Sequence, residues 1–294
     1  MLGIAEWLHR ERSPFQEIAV ARLVEGGRAL FLDGVLQLAE ADEFVYHEHL
    51  VLPALLAHPE PRRVMIAGGG DGLALREVLR DPRVAEVVLV ELDGAVLEAC
   101  RIHLGDLQKG ALEDPRVQVE VADALAYLCG ATRAFDLVFV DLVDAYGSAQ
   151  WVLYREVLAA GGAALADDGL LVLHGDLVGA PWFFLHLARE ARRHFPIVRP
   201  HRAAVASFGG DWGFALAGKG RDPAAQPPEV WSERAAALAG PPRALRVETF
   251  PAALGLPPWQ EERLSTLPEG PPAPLPAPRW LEGAALEALL KALV

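Results

Sequence analysis

Apolar residues fall along the first 45 positions in short, partly alternating runs. Phe15 to Val24 places Ile18 and Val20 on one face, and Ala29 to Leu32 follows the Glu25-Gly26-Gly27 turn. Asp33-Gly34 is a hairpin signal, with Val35 to Leu38 beyond it. The spacing predicts a small antiparallel layer. Ala41 to Leu56 then switches to a helical period, with Phe44, Leu50, Val51 and Leu55 apolar and Asp42 and Glu43 in the first turn. His58-Pro59-Glu60-Pro61 stops it.

From Val64 the chain alternates unbroken apolar runs with helical periods. Val64 to Ala67 reads as a buried strand, and Gly68-Gly69-Gly70-Asp71-Gly72 as a tight turn. A helix over Leu73 to Arg80 follows, with Leu75, Val78 and Leu79 on its apolar side. Further strands are expected at Glu86–Leu92, Val117–Val121, Phe135–Val140 and Gly169–His174. Helices are expected from Asp93 to about His103, from Asp123, over Trp151–Ala160 and over Trp182–Phe195. Val198–Ala206 and Trp212–Ala217 read as a closing antiparallel pair. Strand, glycine turn and helix open a Rossmann-like nucleotide-binding unit. The whole pattern implies an α/β fold: a doubly wound, mainly parallel sheet behind a small N-terminal β-hairpin domain.

Three units are expected: residues 1–45, a catalytic domain over 46–220, and a C-terminal part over 221–294. From Gly220 onward proline and alanine dominate. Pro268 to Pro278 is too proline-rich for a helix or central strand and predicts an extended strap. Arg279 to Val294 reads as a short amphipathic helix that docks on the body or on a second subunit.

Composition narrows the function classes. The chain has 294 residues, 52% of them hydrophobic, enough for one large domain and a smaller one. The formal charge of −13 argues against nucleic acid and anionic membranes and suits cationic ligands. No apolar run approaches the ~20 residues of a membrane span, and the N-terminus lacks a signal design, so a cytoplasmic protein is expected. Cys100 and Cys129 both fall in predicted helices and read as two buried, reduced thiols. The nine histidines show no metal-ligand spacing, so no metal is expected.

Ligands of open α/β sheets sit beyond the carboxyl ends of the strands. Four acids fall there: Asp71, Glu91, Asp123 and Asp141. Glu91 lies about twenty residues past the glycines, where a carboxylate can hold ribose hydroxyls. A single acid at such a place is ordinarily a helix cap, and Asp93 is read that way. Four together point to a ligand. Asp71 and Asp141 repel phosphate and attract a sulfonium or an ammonium, which favours a cationic nucleoside and a cationic co-substrate.

These residues carry a family resemblance. The chain resembles the spermidine synthase (polyamine aminopropyltransferase) family across about residues 13 to 260. The matching stretches are S-P-F-Q-E (13–17), L-D-G-V-L-Q-L-A-E-A-D-E-F-V-Y-H-E (32–48), G-G-G-D-G-L-A-L-R-E-V-L (68–79) and V-E-L-D (90–93). D-P-R-V (114–117), F-D-L-V-F-V-D-L-V-D (135–144) and D-W-G-F-A-L-A-G-K (211–219) also match. The resemblance implies a methyltransferase-type Rossmann-like sheet and transfer of an aminopropyl group from decarboxylated S-adenosylmethionine to a di- or polyamine such as putrescine. 5′-Methylthioadenosine is released.

Carried over position by position, the resemblance implies that Gln16, Gly68, Gly70, Glu91, Asp123 and Ala124 hold the nucleoside. Glu91 takes the ribose and Asp123 the adenine side. Asp71 takes the aminopropyl ammonium. Tyr46, His47 and Asp144 line the amine site with Asp71, and Asp141 accepts the proton. Decarboxylated S-adenosylmethionine is a co-substrate, and no cofactor is implied. The expected partners are small-molecule amines and further copies of the chain, as a homodimer or homotetramer. Gln37 and Glu40 are read as supporting the fold, and Trp212 and Phe214 as packing.

The match breaks at three places. The family's D-G after the third strand is here Asp123-Ala124. The family's D-S-(S/T)-D-P-x-G-P becomes D-L-V-D-A-Y-G-S (141–148), with Ala145 and Ser148 in place of prolines. The family's T-Y-P-S-G becomes A-S-F-G-G (206–210), so the amine-site tyrosine is replaced by Ser207 unless Phe208 takes its place. The donor half is preserved and the acceptor half altered, which leaves longer amines open as acceptors. A methyltransferase on the same sheet and a non-catalytic polyamine-binding protein remain the competing readings.

Overall fold

The computed structural model describes residues 3–144, 148–178, 183–268 and 270. Four strands, β1 (Ile4–Arg12), β2 (Glu17–Leu23), β3 (Arg28–Leu32) and β4 (Val35–Ala39), form an antiparallel sheet in sequential order. β1 was not among the expected strands. Its side chains are mostly exposed, so it lacks the alternation that marks a half-buried strand.

Helix α1 (Glu43–Ala57) leads into the main body. There β5 (Arg63–Gly68), α2 (Leu73–Leu79), β6 (Glu86–Glu91), α3 (Gly94–Gln108), β7 (Val117–Val121), α4 (Ala124–Gly130), β8 (Phe135–Asp141), α5 (Ser148–Ala164), β9 (Leu165–Leu177) and α6 (Phe183–His194) alternate. β10 (Ile197–Val205) and β11 (Gly210–Gly218) close the sheet as the expected antiparallel pair. The seven-stranded order is β10-β11-β9-β8-β5-β6-β7, with β7-β6-β5-β8-β9 all parallel.

The apolar runs are unbroken because both sheet faces are covered. Alternate residues of β5 go to opposite cores: Val64 and Ile66 pack with α1 and α2, and Met65 and Ala67 with α4, α5 and α6. The strand order reverses between β5 and β8. At that switch point Gly68 pairs with Asp141.

One sequence expectation changes. Cys129 is exposed, because α4 turns that face to solvent; only Cys100 is buried. Between Gly220 and Pro268, where the sequence pattern assigns no element, the chain is partly helical. It folds into α7 (Pro228–Ala236) and α8 (Pro258–Thr266), and Trp231 of α7 is wholly buried against the α1 side of the sheet. The remaining expectations for the strap and terminal helix, beyond Pro268 and Gly270, and for Ala145 lie outside the described residues. Ser148 opens α5.

Candidate active site

A cavity of about 590 Å³ opens above the carboxyl ends of β5, β6 and β8. The glycine turn shapes its floor. Gly68 has φ +83°, and a Cβ there would lie 2.1 Å from the carbonyl oxygen of Asp141. A Cβ on Gly70 would come within 2.9 Å of the Glu91 carboxylate, to which the Gly70 N–H donates at 3.1 Å. Both glycines are therefore required by close approach between neighbouring strand ends.

All the acids expected at the strand ends line this one cavity, with Gln16, Tyr46, His47, Ala124 and Asp144. Glu91 accepts from Gly70 and, through its other oxygen, from the Asp93 N–H at 2.9 Å; burial raises its pKa against these bonds. Asp123 caps α4 with one oxygen, accepting from Leu125 and Ala126. Asp93 caps α3 as expected, and its second oxygen takes bonds from Ser13 Oγ at 2.6 Å and Gln16 Nε2 at 3.1 Å. These bonds hold the loop between β1 and β2 against the main body.

At the switch point the site becomes tightly charged. Tyr46 Oη donates to Asp141 Oδ1 at 2.7 Å. Burial raises the Asp141 pKa, the nearby Asp71 carboxylate adds to the rise, and His47, His174 and Tyr46 oppose it. Asp71 accepts the Leu73 N–H with Oδ1 and turns Oδ2 towards His47 Nε2, 3.7 Å away. His47 Nδ1 faces the Glu43 carbonyl at 2.7 Å and the Glu43 carboxylate at 3.1 Å. Both ring nitrogens thus face groups that only accept, so the ring is held as an imidazolium. Burial alone would depress its pKa, yet the bonds to Asp71 and Glu43 lift it to about 10. Glu43 is buried too, but His47 and a two-pronged contact from Arg76 (2.9 Å to each oxygen) hold it at about 2.

His47, Asp71 and Asp141 bring one ligating atom each within 4.8 Å of one another. Two carboxylates against one imidazolium leave an excess of negative charge, a cradle for a small cation.

The other wall is aromatic. Tyr46, Phe208, Trp212 and His174 line it, and Phe208 lies 4.7 Å from Trp212 between ring centroids. Of the two candidates for the tyrosine position, Phe208 faces the cavity. Ser207 turns away, its N–H bonded to Asp42 and its hydroxyl buried. Trp212 lines the cavity as well as packing, whereas Phe214 only packs, stacked on His201. Gln37 also lines the cavity; Glu40 supports the fold through Arg28.

Sequence reasoning missed Phe208 as a certain wall, and missed His174 and Tyr154 altogether. His174 stands in an apolar strand run and Tyr154 in a helix core, where spacing gives no signal of a site.

Comparison with known proteins decides the family. Residues 43–222 match the family model described as "Spermine/spermidine synthase domain". The chain belongs to that family. Residues 1–40 match the model described as "Spermidine synthase tetramerisation domain". The synthase fold recurs in the spermidine synthase of Thermotoga maritima, at TM-score 0.78 and 28% identity, covering 90% of this chain and 89% of that one. A spermidine synthase solved with the transition-state analogue AdoDATO aligns at TM-score 0.82 and 29% identity, covering 90% of each chain. A curated relative from Desulforudis audaxviator, named polyamine aminopropyltransferase, is 38% identical over 79% of this chain and 85% of its own length. This synthase-family chain is accordingly an enzyme, an aminopropyltransferase.

Proposed function

We propose that this enzyme moves the aminopropyl group of decarboxylated S-adenosylmethionine to a diamine such as putrescine, releasing 5′-methylthioadenosine. The observation that carries the reading is the cradle of Asp71, His47 and Asp141 at the sheet's switch point, beside the nucleoside-side carboxylates Glu91 and Asp123. Gln16, Gly68, Gly70 and Ala124 complete the nucleoside side, with Glu91 on the ribose. Asp71 takes the ammonium of the aminopropyl arm. The same carboxylate repels the carboxylate of ordinary S-adenosylmethionine, which sets donor choice.

A primary amine has a pKa near ~10 and is no nucleophile while protonated. Asp141, raised by burial, accepts one proton from the acceptor ammonium. The freed nitrogen lone pair attacks the methylene carbon bonded to sulfur. The carbon–sulfur bond breaks, and its electron pair neutralises the sulfonium as a thioether. Tyr46 holds Asp141 in place, and Asp144 binds the acceptor's other nitrogen. Since the leaving group is already activated, the chain's task is in-line positioning and screening of two cations from each other.

The matches over 1–40 and 43–222 support a division into an assembly layer (1–45), a catalytic body (46–220) and a C-terminal part (221–294), and an oligomer built through the first. We take the assembly to be a homodimer or homotetramer in the cytoplasm. Among the described residues no helix is long and apolar enough to cross a membrane.

The test is product analysis with the decarboxylated donor and a panel of diamines and triamines. The expected outcome is an aminopropylated amine with equimolar methylthioadenosine. Absence of product with every amine, or methyl transfer from the carboxylated donor, overturns the reading.

A further inference from the structure

The segment leaving β8 carries both acids of the acceptor side, Asp141 and Asp144, with Leu142 and Val143 between them. Past the strand end these two residues, Leu142 half-buried and Val143 exposed, have left the ladder, so their carbonyls take donors from elsewhere. Two side chains from other elements supply them. His174 Nε2 lies 2.7 Å from the Leu142 oxygen. Tyr154 Oη lies 3.1 Å from the Val143 oxygen and 2.9 Å from the same His174 nitrogen. A carbonyl only accepts, so Nε2 carries a proton, which it shares between the Leu142 oxygen and the tyrosine oxygen, while the tyrosine hydroxyl donates its own hydrogen to Val143.

Neither residue is placed there by chance of packing. His174 is 4% exposed within the apolar run of β9, and Tyr154 is 1% exposed in α5. A polar group buried in such surroundings is costly unless it is bonded. The histidine ring is itself clamped, stacked on Trp212 and edge-on to Tyr46. Among the described residues its Nδ1 has no hydrogen-bond partner, and it stands 4.0 Å from Asp144 Oδ1. One rigid ring therefore touches the loop, stands behind Asp144 and packs on the tyrosine that bonds Asp141.

We propose that His174 and Tyr154 are positioning residues that fix the two acceptor-side carboxylates by gripping the two carbonyls between them. The inference rests on the aminopropyl-transfer reading. It adds that the spacing of Asp141 and Asp144, and hence the hold on an amine with a nitrogen at each, is set from β9 and α5 rather than by the loop itself. The donor side is held by the glycine turn and Glu91, and meets this segment at the Asp141 carbonyl, which accepts from the Gly69 N–H at 3.0 Å, ahead of the two carbonyls that His174 and Tyr154 grip.

The experiment compares His174→Leu, His174→Gln and Tyr154→Phe in the full chain. Steady-state kinetics with putrescine are run beside calorimetry of methylthioadenosine binding and of putrescine binding to the methylthioadenosine complex. Loss of a buried hydrogen bond and the drift it allows predict a fall of about tenfold or more in kcat/KM for the amine in H174L. Methylthioadenosine affinity stays within about twofold. H174Q, whose amide N–H reaches the place of Nε2, recovers most of the loss, and Y154F loses less than H174L. A merely structural role gives no such split between amine and nucleoside, and no rescue by glutamine.

The proposal is overturned if H174L handles the amine like wild type, if both ligands weaken in parallel, or if glutamine rescues nothing. Should H174L fail to fold, Y154F decides by the same split. If wild type yields no product with any amine, the functional reading falls. The grip is then read from putrescine binding alone, where equal binding by wild type and H174Q but loss in Y154F supports it and no difference overturns it.

Discussion

Tyr46 and His47 are neighbours on α1, and both favour the charged form of Asp141. The Tyr46 hydroxyl stabilises the Asp141 carboxylate, against the burial and the Asp71 charge that raise its pKa. Removing that hydroxyl in Tyr46→Phe raises it further. The acid limb of the kcat/KM profile for the amine is then expected to move to higher pH; an unmoved limb removes Asp141 as the titrating base. Asp141→Asn is expected to cut turnover by about 10²–10⁴-fold while methylthioadenosine still binds. Near-normal turnover in that variant ends the proton-acceptor role. His47 acts on stability. Its folded pKa of about 10 lies above the ordinary 6.5, so its ion pairs stabilise the fold fully below pH 6.5 and lose that contribution as pH rises towards 10. Urea midpoints of wild type and His47→Asn are expected to differ most near pH 6 and to converge as the pH approaches 10. A constant gap contradicts the imidazolium.

Among the elements, α1 joins the site to the segment that follows α7. Its Glu48 is wholly buried and accepts from the backbone N–H groups of Arg243, Ala244 and Leu245 and from Arg80. Glu48→Ala strands those donors, and chemical denaturation is expected to show a loss of about 3–5 kcal/mol. A loss under 1 kcal/mol would mean that the 243–245 segment is held by its apolar contacts alone. The sheet and the strand-end acids were legible because period-two and unbroken apolar runs, glycine turns and strand-end acids are local signals. What escaped was non-local or disguised. Trp231 of α7 is buried in the core from a proline- and alanine-rich stretch to which the sequence pattern assigns no element, although Pro228 and Pro258 stand at helix starts, where proline is well tolerated. His174 looks like one more core residue of β9, because the carbonyl it serves lies 32 positions earlier. Phe208 against Ser207 is decided by which way one short turn faces, and sequence offers no rule for that.

For the whole molecule, charge and cavity act together. A formal charge of −13 surrounds a cavity whose lining includes Asp33, Asp71, Glu91, Asp123, Asp141 and Asp144. The amine is a small polycation, and such a field raises its local concentration at the mouth. Once bound, it pairs with buried carboxylates that salt screens far less than it screens the approach, since the Debye length falls from about 30 Å at 0.01 M to about 3 Å at 1 M. Raising salt is therefore expected to lift the KM for putrescine severalfold while kcat changes little. Uncharged methylthioadenosine supplies the control, because it gains nothing from the field and its affinity should hold constant. If its affinity falls in step with the amine's, salt is loosening the site as a whole. If neither constant moves, the acidic surface contributes to solubility alone, and the capture of the amine belongs entirely to the contacts of Asp141 and Asp144.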